Sequence, residues 1–305
     1  MCSKRLSIPP FVMAMLPVGN PRNEHDPGNT QEPNTYGSVG YTYSIGKHEV
    51  TNAQYVQFLN AVAAEDRTNL YSPRMGIEVQ SGITRTGSPG SYRYQEKTLM
   101  GNKPVNNVNW FDALRFCNWL HNGRPRGAQD TTTTERGAYT LTGAMIIGVG
   151  TDPIHGANGR NAGARFWLPS ENEWYKAAYY VPNIGDHYWA YPTQSNSAPT
   201  RASVDVAGNM SPEDNIANYE STADWNGVTA NTTTVGSGGT GSTSFYGAFD
   251  MGGNVSEWNE QKALASRVIR GGHYFDNRFA MGSSSRRGDD PARKYRRFGF
   301  RVAGP

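Results

Sequence analysis

Glycine recurs about once in every nine residues of this 305-residue chain, 35 times in all, and 18 prolines accompany it. Glycine in a helix interior costs roughly 1 kcal/mol and it also weakens strands, so long regular elements do not survive that spacing. A coiled coil and a helical solenoid are excluded. Disorder is excluded by the rest of the composition: 11% of residues are aromatic, including 7 tryptophans and 17 tyrosines, and only 18% are charged. Disordered chains show the opposite balance. The pattern calls for an α+β protein, loop-rich, with short strands and two or three main helices. Its length suffices for a sizeable core in one large domain or two ordinary ones.

No repeat and no charged linker divides the chain. The Gly/Ser/Thr-rich stretches at 80–92, 129–163 and 227–243 read as long loops of one domain. Three helices carry start signals. Thr51 and Gln54 form a capping box ahead of Tyr55, Phe58, Leu59 and Val62. Asn109 precedes a stripe of Phe111, Leu114, Phe116, Cys117 and Leu120 that ends near Gly123. Ser170 and Glu173 form a second capping box before a short helix. Short strands are expected at Tyr41–Gly46, Tyr139–Leu141, Arg165–Leu168, Val268–Gly271 and Gly299–Val302.

The net charge of +3 is too small to imply nucleic acid or a membrane. It is unevenly spread, because residues 273–300 hold seven Lys/Arg against three Asp. Cys2 and Cys117 make no disulfide framework, and Cys117 reads as core. No stretch reaches the roughly 18 apolar residues of a membrane span. Lys4 and Arg5 precede an apolar run that Pro9, Pro10 and Pro17 interrupt, and no small-residue cleavage site follows, so there is no clear signal peptide. The compartment stays open between bacterial cytoplasm and export.

Phrases spread along the chain combine into a larger pattern: IGKHEVTNAQYVQFLNAV (45–62), KPVNNVNWFDALRFCNWL (103–120), RFWLPSENEWYKAAYY (165–180), YGAFDMGGNVSEWNE (246–260), RVIRGGHYF (267–275) and FGFRVAG (298–304). In this order the chain resembles the formylglycine-generating-enzyme (sulfatase-modifying factor) family from about residue 36 onward. The resemblance implies a variant of the C-type lectin fold whose long loops are pinned by calcium. It divides the chain into an N-terminal extension, 1–35, and a single domain, 36–305.

The family's enzymes carry two cysteines five apart after the RGG segment, which bind copper(I). Soft Cu(I) requires such thiolates. The corresponding positions here are Asp276 and Met281, so the resemblance implies no catalytic residue at that site. Some relatives use non-haem iron, but His25, His48, His121, His155, His187 and His273 show no paired spacing. No nucleophile elbow, phosphate loop or HExxH is present. For structural Ca2+ the resemblance implies ligands from Asp250, Gly253, Val255 and Glu257, and a second set of Asn218, Tyr219 and Asp224. Six to eight hard oxygens, carboxylate and carbonyl mixed, suit that ion.

Between the anchors RVIRGG and FGFRVAG, residues 273–297 are dense in Tyr, Phe, Arg, Asp, Asn and Ser. That is the vocabulary of adaptable recognition surfaces. The segment resembles the variable region of C-type-lectin-fold proteins diversified by diversity-generating retroelements. A non-catalytic ligand-binding module would display His273, Tyr274, Phe275, Asp276, Arg278, Arg286, Tyr295 and Arg297 to a protein or other macromolecular ligand, with no membrane span and no nucleic acid expected. The alternative is a metal-dependent oxidoreductase, formylglycine-generating or sulfoxide-synthase-like, with non-standard ligands.

Overall fold

The computed structural model describes residues 11–29, 36–141, 159–182 and 187–305. Regular structure is sparse and short. The helices are α1 (Asn52–Val62), α2 (Pro73–Ile77), α3 (Trp110–His121) and α4 (Glu171–Tyr179). The strands are β1 (Met15–Val18), β2 (Tyr43–Gly46), β3 (Ile83–Thr86), β4 (Arg93–Glu96), β5 (Tyr180–Val181), β6 (His187–Tyr188), β7 (Thr200–Arg201), β8 (Ile216–Ala217), β9 (Ser256–Ala263), β10 (Ser266–Arg270), β11 (Arg287–Asp289), β12 (Phe298–Gly299) and β13 (Ala303–Gly304). A four-stranded sheet in the order β11-β10-β9-β12 carries the C-terminal region, and in a three-stranded sheet, β1-β2-β13, strand β2 lies between β1 and β13.

The helix starts form as the sequence indicates. In α3 the Asn109 side chain accepts from Asp112 N at 2.8 Å, and Asp112 Oδ2 accepts from Asn109 N at 3.0 Å. Two otherwise orphaned amides are satisfied reciprocally. Thr51–Gln54 and Ser170–Glu173 repeat that arrangement for α1 and α4. The stripe expected on α3 is wider in the fold, since Arg115 and Asn118 on the other face are also buried. Arg115 meets Glu135 at 2.6 Å, and Asn118 Nδ2 donates to Thr134 O and Tyr139 O. Around α3 lies the main core, which takes in Tyr55, Phe58, Phe116, Trp258, Phe298 and Phe300.

A second core is built largely of tyrosine, with Tyr36, Tyr43, Tyr175, Tyr179 and Tyr188 around Trp174. Buried phenols need acceptors. Tyr43 donates to Glu173 O, Tyr175 to Asp26 Oδ2, and Tyr179 to Met281 O. Long loops are fixed by buried arginine–carboxylate pairs. Arg160 spans Glu173 and Glu260, and Arg301 forks onto Glu257.

Several expectations change. Residues 15–18, expected in an extension, form β1, which pairs with β2 from Met15↔Gly46 to Val18↔Tyr43. β1 is an edge strand, where Pro17 removes no needed ladder bond. The stretch read as a loop at 80–92 contains β3 of a hairpin with β4. Tyr139–Leu141 and Arg165–Leu168 contribute only the isolated bridges Arg136↔Thr140 and Trp167↔Ala303. Of the loop at 129–163, residues 142–158 lie outside the described residues, and His155 with them.

Candidate functional site

The segment between β10 and β12 grows from a locked base. Gly271 and Gly272 both take positive φ, and a Cβ on Gly271 would lie 2.9 Å from Met251 O. Only glycine fits there. Just before them, the Arg270 guanidinium binds Glu171 Oε1 at 2.6 Å and donates to Ser283 O and Ser285 O at 3.0 and 2.5 Å. One buried arginine thus holds the far side of the loop by its backbone. Its sequence signal was the RGG phrase, but that phrase did not reveal its partner.

His273 and Tyr274, expected on display, lie inside instead, at 4% and 0% exposure. The reason lies in their hydrogen bonds. Tyr274 N donates to Asn254 O and its hydroxyl donates to Arg296 O. His273 Nδ1 accepts from Phe275 N, while Nε2 lies 3.2 Å from Asp276 Oδ2. Burial lowers the His273 pKa to about 4, so the imidazole is neutral near pH 7 with its proton on Nε2.

The other expected residues reach the surface to different degrees. Asp276 accepts from Arg287 Nη1 at 2.9 Å on both oxygens. Arg286 is drawn back onto Glu171 at 2.9 Å, which it shares with Arg270. Phe275 and Tyr295 are half-buried. Arg297 sits 4.5 Å from the centroid of the Phe275 ring and 5.2 Å from that of Tyr295. Arg278 is exposed beside Phe279, a residue that sequence reasoning passed over and that is 65% exposed. An exposed aromatic beside an arginine, in a loop with a fixed base, is a recognisable signal of a contact surface.

Met281 is fully buried, packed in an apolar cluster with Ala217 and Tyr219. The pair Asp276 and Met281 therefore presents an ion-paired carboxylate and a core thioether, which is not a thiolate site for a soft metal. Among the described residues no three His, Cys, Asp or Glu side chains are grouped to hold a metal. His48 packs at a tilt against Phe249 with its pKa lowered to about 4 by burial, His121 Nδ1 accepts from Arg165 N, and His187 meets Trp189 edge-on.

The two oxygen sets differ in their fit to calcium. Glu257 accepts from Arg301 on both oxygens at 2.6 Å and from Trp174 Nε1 at 2.7 Å. Its charge is already matched, and a cation would have to displace Arg301, so the set with Asp250, Gly253 and Val255 does not fit. Asp250 is half-buried, desolvation raises its pKa to about 6, and its Oδ2 accepts from Gly236 N. The second set fits better. Asn218 Oδ1 is buried and has no hydrogen-bond partner, while its Nδ2 donates to Asn231 O at 2.9 Å. Gly253 crosses so closely that a Cβ would lie 2.4 Å from Asn218 O. In the same loop the Tyr219 carbonyl accepts from Thr222 Oγ1, and Asp224 Oδ1 accepts from Ala230 N.

The geometry has counterparts among known proteins. The chain is similar in structure to Treponema denticola variable protein 1, with TM-score 0.53 and 20% identity, covering 98% of this chain and 97% of that one. It is similar also to CarF, with TM-score 0.54 and 21% identity, over 96% of this chain and 98% of that one. No curated protein matches it in sequence. No helix among the described residues is long and apolar enough to cross a membrane. The profile of the sulfatase-modifying factor enzyme 1-like domain matches residues 4–304, and the short helices and strands of this chain have the loop-rich α+β character of that fold. The chain belongs to the sulfatase-modifying factor enzyme 1-like (formylglycine-generating-enzyme-like) family, on its C-type-lectin-like fold.

Proposed function

We propose that this protein is a non-catalytic binding module, which holds a macromolecular ligand on the face formed by residues 275–297. The supporting observation is a contrast within one segment. Tyr274 and Met281 are locked in the interior, while Phe279 and Arg278 stand outside on the same loop. Such a surface binds by burying its aromatic anchor, with arginine forks supplying orientation. Its likeness in fold to a protein named a variable protein is consistent with residues 275–297 being a segment diversified by a retroelement.

The reading is tested by selecting a displayed random-peptide library on the full chain and measuring the recovered binders on Phe279→Ala and Arg278→Ala. Binding weakened tenfold or more by either change supports the face. Binders indifferent to both changes would move it elsewhere. Tight copper or iron with oxygen consumption on thiol peptides would replace it with the oxidoreductase reading.

We propose in addition that a calcium ion sits at the Asn218 loop, with Tyr219 and Asp224 beside it. The observation behind this is the unsatisfied oxygen of Asn218. Calcium then raises the melting temperature of the wild type and not of Asn218→Ala. An equal response from both proteins would refute the site.

A further inference from the structure

We propose that the cationic part of this face, Arg296 and Arg297 over the ring of Phe275, receives a carboxylate of an acidic protein segment. The inference rests on the binding reading above and assigns the chemistry of the ligand.

Residues 273–297 carry seven basic and three acidic side chains. Four of the cations are ion-paired within the fold, Arg286 with the Glu171 it shares with Arg270, Arg287 with Asp276, Arg293 with Asp289 and Lys294 with Asp112, at 2.7 to 3.1 Å, and Arg278 stands exposed beside Phe279. Arg296 and Arg297 make no ion pair among the described residues. They are sequence neighbours, and their guanidiniums lie 5.6 and 4.5 Å from the centroid of the same Phe275 ring. The Nε atom of each is buried without a hydrogen-bond partner. Two like charges stacked on one ring repel, and the ring quadrupole offsets that repulsion without neutralising it. Both planar forks thus lack the anion that such forks match.

The pair is also held in advance of any ligand. Arg296 O accepts from the buried Tyr274 hydroxyl at 3.2 Å and from Asn106 Nδ2 at 2.9 Å, so the backbone beneath the guanidiniums is fixed. Pre-organisation of this kind lowers the ordering cost of binding. It also gives the buried Tyr274 a role: it positions the face from below without touching a ligand.

The choice of a protein carboxylate over a polyphosphate chain follows from the acidic residues. Asp276 and Asp289 already engage Arg287 and Arg293, and Asp290 lies beside them, so a phosphate backbone tracking the segment would find few free cations, whereas one carboxylate needs only the Arg296 and Arg297 pair. A protein segment can set an acidic side chain on the unmatched pair and apolar groups on Phe279.

The probe is a fluorescein-labelled peptide of alternating glutamate and tryptophan, with a glutamine-for-glutamate version as control and a labelled dodecathymidylate of similar charge. Each is titrated by anisotropy into the full-length chain at low and high salt. The glutamate peptide is expected to bind at least tenfold more tightly than the glutamine peptide and than the oligonucleotide. That advantage shrinks with salt and falls at least tenfold in Arg296→Gln/Arg297→Gln. Should the double variant melt early, Arg297→Gln alone carries the comparison. Equal binding of the two peptides, an unaffected variant, or preference for the oligonucleotide overturns the inference. If the glutamate peptide fails while library peptides still depend on Phe279, only the ligand chemistry falls. If the library peptides ignore Phe279, the binding face itself falls.

Discussion

Both ring nitrogens of His273 are engaged, Nδ1 accepting from Phe275 N and Nε2 facing Asp276, and this geometry suits only the neutral ring. Protonation would place a hydrogen on the accepting nitrogen. With a folded pKa of about 4 against 6.5 unfolded, the unfolded chain binds the extra proton between those values. Stability from this group is therefore full above pH 6.5 and is lost as pH falls toward 4. A His273→Gln variant, compared by urea unfolding at pH 7 and pH 5, is expected to lose less stability on acidification than the wild type. An equal or larger loss would contradict the assignment. At Glu257 the expectation concerns charge. Replacing it with alanine leaves the buried Arg301 guanidinium and Trp174 Nε1 without their acceptor, at a cost of about 3–5 kcal/mol. The loss, measured by urea unfolding, should be the same with and without calcium. Calcium-dependent loss would restore Glu257 as an ion ligand. Residue identities alone did not settle this point. The acidic loop at 250–257 was legible as an oxygen-rich turn, but its pairing with an arginine some forty residues later comes from the fold.

Among the elements, the helices were the most readable, because their start signals are local chemistry. Asn109→Ala removes one half of a capping box and is expected to cost about 1 kcal/mol, read as a lowered urea midpoint with an unchanged slope. No change would mean that packing alone holds the start of α3. The strands were less readable for a physical reason. In β9 Ser256 to Asn259 are buried on both faces, and the polar Glu257 and Asn259 are among them, with Glu260 half-buried beyond. Glu257 and Glu260 are paired with Arg301 and Arg160. Hydrophobic alternation therefore cannot mark the strand. The β3–β4 hairpin hides differently, since Ile83 and Tyr94 alone are buried among its eight residues. The binding face was legible in its composition but not in its orientation. Tyr274 and Phe279 are both aromatics of one segment, and only the turn after Gly272 sends the first inward and leaves the second outside.

Across the whole molecule, a small content of regular structure is held together by buried guanidinium–carboxylate pairs and a tyrosine-lined core, with a C-terminal sheet whose outer loop is anchored by Arg270. That arrangement separates a rigid base from an exposed rim. Ligand binding should therefore alter the rim and leave the base unchanged, as in other pre-organised complexes. Hydrogen–deuterium exchange of the full-length chain, with and without a library-selected peptide, tests this most directly. The account predicts protection confined to residues 275–281 and 289–297, with the amides of α3 and β9 unchanged. Protection centred away from this segment, with these residues unaffected, would contradict it.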